Sequence, residues 1–219
     1  MTEIVQTGDI LSRITSLGVV PVIELGSVGQ AEPLLEALSA GGLPSAEITL
    51  RTPAGIEAIP LLRESHPGAL VGAGTVRTVE QARRAIDADA QFIVSPGFDP
   101  DVVAVCRERG VPVLPGVCTP TEITAAVKAG ADVLKLFPAG ALGGVGFLKA
   151  IAGPFRDVRF VPTGGVGPDN LAEYLRLPVV AACGGTWLAK PDVLAAGAFE
   201  RIEELAREAA AIVREVRGA

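Results

Sequence analysis

Short apolar runs closed by glycine or proline alternate along this chain with stretches whose apolar residues recur every three or four positions. The short runs mark buried strands and the periodic stretches mark amphipathic helices. A short helix over residues 8–17 precedes a first strand at Val19–Leu25 and a helix at Val28–Gly41, which Gly41-Gly42 ends. Ala46–Leu50 is the second strand, and Pro53 opens the next helix at the position proline favours. The pattern then places strands at Ala69–Ala73, Gln91–Val94, Val111–Leu114, Asp132–Leu136, Val158–Val161 and Val179–Ala182. Helices start at Val79, span Asp99–Arg109 and Thr119–Ala129, start again at Pro168 or Asp169, and finish with Ala198–Arg217.

Strands and helices that alternate without a linker or low-complexity break predict a single α/β domain over residues 1–219. The expected architecture is a (β/α)8 TIM barrel with an additional N-terminal helix. A doubly wound open sheet is the competitor. It would carry a glycine-rich dinucleotide loop after its first strand, and Leu25-Gly26-Ser27-Val28-Gly29 matches that poorly.

Barrels of this kind do their chemistry at the C-terminal strand ends, so polar residues there are the candidates. Lysine occurs only at positions 128, 135, 149 and 190. Lys128 and Lys149 fall in helical stretches and Lys190 in a loop, whereas Lys135 lies inside the apolar run Val133-Leu134-Lys135-Leu136-Phe137. Burial of a lysine favours the neutral amine, the form that attacks a carbonyl. A lysine that snorkels from the strand end is the plainer alternative. On the second strand, Glu47, Thr49 and Arg51 share one face and Ile48 and Leu50 the other. With the apolar face against helices, the polar face points inward, where unpaired charge is costly. Glu47 is then either half of a structural ion pair with Arg51 or a proton carrier for the lysine.

The third strand ends in Gly72-Ala73-Gly74-Thr75 and the fourth in Ser95-Pro96-Gly97. The last two end in Pro162-Thr163-Gly164-Gly165-Val166 and Gly184-Gly185-Thr186-Trp187. Paired Gly-Gly loops after the final strands fit the phosphate site of such barrels, because glycine lets backbone N–H groups approach an anion. Tight turns would look the same. Glu24 at the first strand's end suits a helper or structural role. Cys118 reads as a small filler, because no histidine is near in sequence to activate it.

Composition narrows the classes further. A formal charge of −6 argues against nucleic-acid binding but leaves a phosphorylated small molecule possible. Cys106, Cys118 and Cys183 are odd in number and widely spaced, which disfavours a disulfide framework or a zinc site and favours a reducing cytoplasm. The single histidine, His66, lies in the turn sequence Ser65-His66-Pro67-Gly68, so a histidine-dependent triad is not expected. No stretch reads as a signal sequence or a membrane span.

Together, Glu47-Ile48-Thr49-Leu50-Arg51-Thr52, Val71-Gly72-Ala73-Gly74-Thr75-Val76, Ser95-Pro96-Gly97, Leu134-Lys135-Leu136-Phe137-Pro138-Ala139, Pro162-Thr163-Gly164-Gly165-Val166 and Gly184-Gly185-Thr186-Trp187-Leu188 form a set. That set resembles the bacterial 2-keto-3-deoxy-6-phosphogluconate (KDPG) aldolases, which also act as 4-hydroxy-2-oxoglutarate aldolases. The resemblance runs from about Leu17 to the C-terminus. It implies a cytoplasmic, homotrimeric class I lyase that needs neither cofactor nor metal, and that splits the phosphorylated keto acid into pyruvate and glyceraldehyde 3-phosphate. By motif, Lys135 would form the Schiff base and Glu47 would transfer protons. Arg51 and Thr75 would hold the carboxylate end, with Pro96 in the pocket wall. Thr163, Gly164, Gly165 and Thr186 would hold the phosphate. Thr186 is often serine in relatives, and Glu24 falls where relatives vary. Three alternatives stay open: an aldolase for the galactonate-derived epimer, a phosphosugar isomerase or synthase on the same barrel, and a phospho-ligand binding module without catalysis.

Overall fold

The computed structural model describes residues 7–218, with helix α1 at Thr7–Leu17 preceding the first strand. The strands that follow are all parallel. β1 (Val19–Ile23), β2 (Ser45–Thr49), β3 (Leu70–Gly74), β4 (Ile93–Val94), β5 (Val113–Leu114) and β9 (Cys183–Gly185) form one ladder, ordered β5-β4-β3-β2-β1-β9. β6 (Gly116–Val117), β7 (Val133–Leu136) and β8 (Arg159–Pro162) form a second. Only Pro115 separates β5 from β6. Proline has no N–H to donate to a ladder, yet its carbonyl accepts from the Lys135 N–H at 3.0 Å. Isolated parallel bridges, Phe160 to Val180 and Thr163 to Gly184, link the end of the second ladder back to the β9 segment.

Helices alternate with the strands because each apolar stripe needs a cover. They are α2 (Ala31–Ala40), α3 (Pro53–Ser65), α4 (Val79–Asp87), α5 (Pro100–Glu108), α6 (Pro120–Lys128), α7 (Gly144–Ala152), α8 (Leu171–Leu175), α9 (Pro191–Ala195) and α10 (Phe199–Arg217). Proline stands in the first turn of α3, α5, α6 and α9, where its missing N–H costs nothing. Thr119 and Glu122 close a reciprocal capping box on α6.

Two apolar clusters sit on opposite faces of the strands. The larger packs the outward side chains, such as Ala46, Ile48, Ala73 and Leu134, against the helices. The smaller joins inward residues from the early part of the strands (Leu70, Phe92, Leu114, Val133, Val161) to Ile10 and Ile14 of α1. Helix α1 thus seals the N-terminal end of the inner face. Ser45 is buried at the start of β2, and the remaining buried polar groups of this face, Glu47, Thr49, Lys135 and Thr163, lie towards the C-terminal end.

Several boundaries differ from the sequence reading, for identifiable reasons. The turn over Val28–Gln30 is a 3-10 helix and not the start of α2, because the Gln30 side chain turns back to accept from the Gly26 and Ser27 N–H groups. The expected helix at Pro168 or Asp169 starts at Leu171; Asn170 first closes a turn by accepting from the Gly167 N–H and donating to the Gly165 carbonyl. The expected strand at Val179–Ala182 moves to Cys183–Gly185, so Gly184 and Gly185 are strand and not loop. They pair with Val20 and Pro21 of β1. Two glycines carry no apolar signal, and only the partner strand reveals their state. The strand extension over Gly116–Val117 and the helix α9 have no counterpart in the sequence reading, and α7 gives bounds to the helical stretch read around Lys149.

Arg217, at the end of α10, ties the N-terminal end of the fold together. Its guanidinium donates to the carbonyl of Thr15 in α1 and to those of Val180 (3.2 Å) and Ala181 (2.8 Å) ahead of β9. Arg217→Met keeps the packing stem and strips these bonds, so it should lower unfolding stability by about 2 kcal/mol. A shift of the urea midpoint at unchanged slope checks this, and an unmoved midpoint would show that the contacts are net neutral.

Candidate active site

Two neighbouring ladders bring Glu47 and Lys135 face to face although 88 residues separate them. Glu47 lies on β2 between Val22 of β1 and Gly72 of β3, and Lys135 lies on β7 between Gly116 of β6 and Val161 of β8. Both point inward because Ile48, Leu134 and Leu136, their chain neighbours, are committed to the helix-facing core. Lys135 Nζ donates to Glu47 Oε1 at 3.2 Å, with the two side chains only 7% and 4% exposed. The ammonium also lies 5.6 Å from the centre of the Phe137 ring. Gly74 makes room for the carboxyl: a Cβ there would lie 2.3 Å from Glu47 Oε1.

Such a pair is poor structural economy. Desolvation offsets most of the Coulomb attraction, and an apolar pair of similar volume would stabilise the fold as well or better. Snorkelling does not describe Lys135 either, because its side chain is buried, whereas Lys128, Lys149 and Lys190 are exposed.

Arg51 and Thr75 meet at the C-terminal rim of β2 and β3. Arg51 Nε donates to Thr75 Oγ1 at 3.2 Å, and its terminal nitrogen donates to Glu24 Oε2 at 3.2 Å. The Glu47–Arg51 ion pair considered from sequence is therefore not the pairing found: Arg51 takes Glu24, and Glu47 takes Lys135. Glu24, given no role by motif but read from its place at the first strand's end as a helper or structural residue, is the partner that holds Arg51. A carboxylate at the end of an apolar strand was the available signal. Thr75 holds a left-handed backbone (φ 58), uncommon for a β-branched residue and a form of strain that clusters at functional sites. Arg51 keeps three of its five N–H donors free of these two contacts. Pro96 follows β4, half-buried on the same rim.

The phosphate candidates divide in two. Gly164 and Gly165 form the turn after β8, both with left-handed backbone (φ 83 and 78) that glycine adopts without strain. The carbonyls of Thr163 and Gly164 accept from Ala139 and Gly140 N–H at 2.9 and 2.8 Å. In a planar trans peptide the N–H opposes the C=O. The amides of Gly164 and Gly165 therefore point away from the β7 loop, towards the β9 side, where exposed Thr186 follows Gly185. Thr163 itself is not on this loop surface. Its side chain is buried on the inner face over Gly184, and its Oγ1 donates to the Val161 carbonyl at 3.3 Å.

The remaining candidates carry little chemistry. Burial pushes the Cys106 and Cys183 thiols up to about 12, and a hydrogen bond to Glu122 raises that of Cys118. None is poised as a thiolate. His66 caps the C-terminus of α3, bonded to Ser65 Oγ at 2.8 Å. Among the described residues no cluster of three or more His, Cys, Asp or Glu side chains could hold a metal ion, and no helix is long and apolar enough to cross a membrane.

Comparison with known proteins gives a consistent result. The family model for KDPG and KHG aldolase matches residues 10–205. A 2-dehydro-3-deoxy-phosphogluconate aldolase of Treponema pallidum is 47% identical over 204 residues, 93% of this chain and 97% of that protein. The KHG/KDPG aldolase of Escherichia coli K12 is 44% identical over 198 residues, 90% of this chain and 93% of that protein. The solved KDPG aldolase of Legionella pneumophila, with pyruvate captured at low pH as a covalent carbinolamine, superposes with a TM-score of 0.87. It is 39% identical, and the match covers 92% of this chain and 97% of that one. Matched in this way over most of its length, the chain belongs to the KDPG and KHG aldolase family.

Proposed function

We propose that this protein is a class I aldolase that cleaves 2-keto-3-deoxy-6-phosphogluconate to pyruvate and glyceraldehyde 3-phosphate. We assign it the cleavage of 4-hydroxy-2-oxoglutarate to pyruvate and glyoxylate as well. The observation that carries the reading is the buried Lys135–Glu47 contact at 3.2 Å. At that distance the carboxylate can take a proton from the lysine and leave an amine able to attack. Lys135 Nζ adds to the C2 carbonyl, and loss of water from the carbinolamine yields the iminium. Removal of the C4 hydroxyl proton then breaks the C3–C4 bond. Its electron pair flows to the iminium nitrogen as an enamine, and C4 leaves as the aldehyde. Protonation at C3 and hydrolysis of the imine release pyruvate and restore the lysine. The iminium serves as the electron sink that a metal provides in class II enzymes.

The remaining roles follow from position. Arg51 and Thr75 hold the carboxylate beside C2, with Pro96 in the wall. The Gly164 and Gly165 amides and the Thr186 hydroxyl hold the phosphate at the far end, where binding energy remote from the reacting bond orients the substrate. Thr163, buried beneath them, is assigned to the substrate's phosphate end by motif. On the same reading the two ladders form one closed (β/α)8 barrel in a single domain over residues 1–219, with β5 and β6 one strand crossed by Pro115. The protein would work as a cytoplasmic homotrimer, an assembly that rests on the family resemblance. An aldolase for the galactonate-derived epimer would use the same groups, and comparing turnover of the two epimers decides between them.

Borohydride reduction in the presence of pyruvate should add the reduced pyruvyl group to one peptide, the one holding Lys135. No label, or label on Lys128 or Lys149, overturns the assignment. Glu47→Gln should lower kcat by about a hundredfold or more, the scale of general acid–base catalysis, while inhibition by glyceraldehyde 3-phosphate stays within about threefold. Equal losses in both would return Glu47 to a purely structural role.

A further inference from the structure

A hydroxyl on the inner face is left over by the assignments above. Thr49 is 1% exposed, and its Oγ1 is buried with no hydrogen-bond partner among the described residues. It points inward with Glu47, because Ala46 and Ile48 alternate with them into the helix-facing core. Across the ladder its partner is Gly74. The Glu47 carboxyl leans into the space that a Gly74 side chain would fill. Two residues apart on one strand, Thr49 and Glu47 have Cα atoms about 7 Å apart on the same face, and no hydrogen bond joins the Thr49 hydroxyl to the Glu47 carboxylate. Two such neighbours without a direct hydrogen bond are an arrangement that one oxygen can bridge. A valine of the same shape would fill the site without burying a polar atom, so packing does not call for the hydroxyl. Ser45 Oγ is likewise unpartnered on this face, but Thr49 stands at the C-terminal end of β2, opposite the glycine that Glu47 leans over.

We propose that Thr49 is a positioning residue for the water of Schiff-base chemistry, an inference that rests on the aldolase reading. When the carbinolamine collapses, Glu47 gives its proton to the hydroxyl on C2. The C–O bond breaks, the nitrogen lone pair forms the C=N bond, and the oxygen leaves as water into the space between Thr49 Oγ1 and Glu47. After cleavage the same steps run in reverse. Thr49 accepts one hydrogen bond from the water, and Glu47 removes its other proton as the oxygen attacks C2. Thr49 takes no part in breaking the C3–C4 bond or in proton exchange at C3.

This separation defines the test. Wild type, Thr49→Val and Thr49→Ser are incubated with pyruvate in ¹⁸O-labelled heavy water. Oxygen exchange at C2 and deuterium uptake at C3 are followed above the buffer background. Thr49→Val should slow oxygen exchange by about tenfold, one hydrogen bond's worth of barrier, and should raise the number of deuterons taken up per oxygen exchanged. Thr49→Ser should return both to within about threefold of wild type. The melting temperature of Thr49→Val should be unchanged or higher, because no protein hydrogen bond is lost. Wild-type oxygen exchange in Thr49→Val overturns the proposal. So does a proportional loss of both exchanges, or a Thr49→Ser as impaired as the valine. A wild-type protein that pyruvate and borohydride do not label overturns the aldolase reading itself, and this inference with it. That outcome is distinct from failure of Thr49 alone.

Discussion

The buried contact between Lys135 and Glu47 is the constraint around which the inner face is arranged. A lysine and a carboxylate withdrawn from water must satisfy each other, since a lone buried charge costs several kcal/mol, about 3–5 by the effect of removing one partner. Their meeting requires β2 and β7 to hold the right faces inward at the same level. That is secured by the register of Glu47 with Val22 and Gly72 and of Lys135 with Gly116 and Val161. It also requires space. Gly74 cedes the volume into which Glu47 leans, as Gly184 cedes that of Thr163. Below them, the cluster of Leu70, Phe92, Val133 and Val161 under α1 keeps water from entering from the other end.

The fold divides its two ends by function. At the N-terminal end the contacts are apolar or locked, with Ile10 and Ile14 buried and Arg217 bonded to three backbone carbonyls. At the C-terminal end the groups are held but not used up. Arg51 is steadied by Glu24 and Thr75 and keeps donors to spare, and the Gly164 and Gly165 amides are turned outward by the pairing of the Thr163 and Gly164 carbonyls with the β7 loop. Rigidity below and unspent hydrogen-bonding capacity above are what a site for an anionic substrate needs.

Much of this was readable from the chain. Apolar runs closed by Gly or Pro located the strands to within a few residues, and Pro53 marked the first turn of α3. Where the reading slipped, a long-range partner had decided the outcome. Gly184 and Gly185 become strand only by pairing with β1, and Gly116–Val117 only by pairing with β7. Lys135 and Glu47 could each be picked out by being charged inside an apolar pattern, yet the strand pattern equally allowed Glu47 to pair with Arg51.

What the sequence by itself determined is local: strand and helix periodicity, turns and caps, the inward face of β2, and a motif set specific enough to name a family. Those properties depend on neighbours within a few positions, so they are written in the order of residues. What only the tertiary structure decided is who meets whom. That Lys135 reaches Glu47, that Glu24 takes Arg51, that Thr163 packs over Gly184 and that the Thr49 hydroxyl is left without a partner among the described residues all depend on register between distant strands. The physical reason is that a strand's face is set by its own alternation, whereas the depth at which two side chains meet is set by how the ladders align.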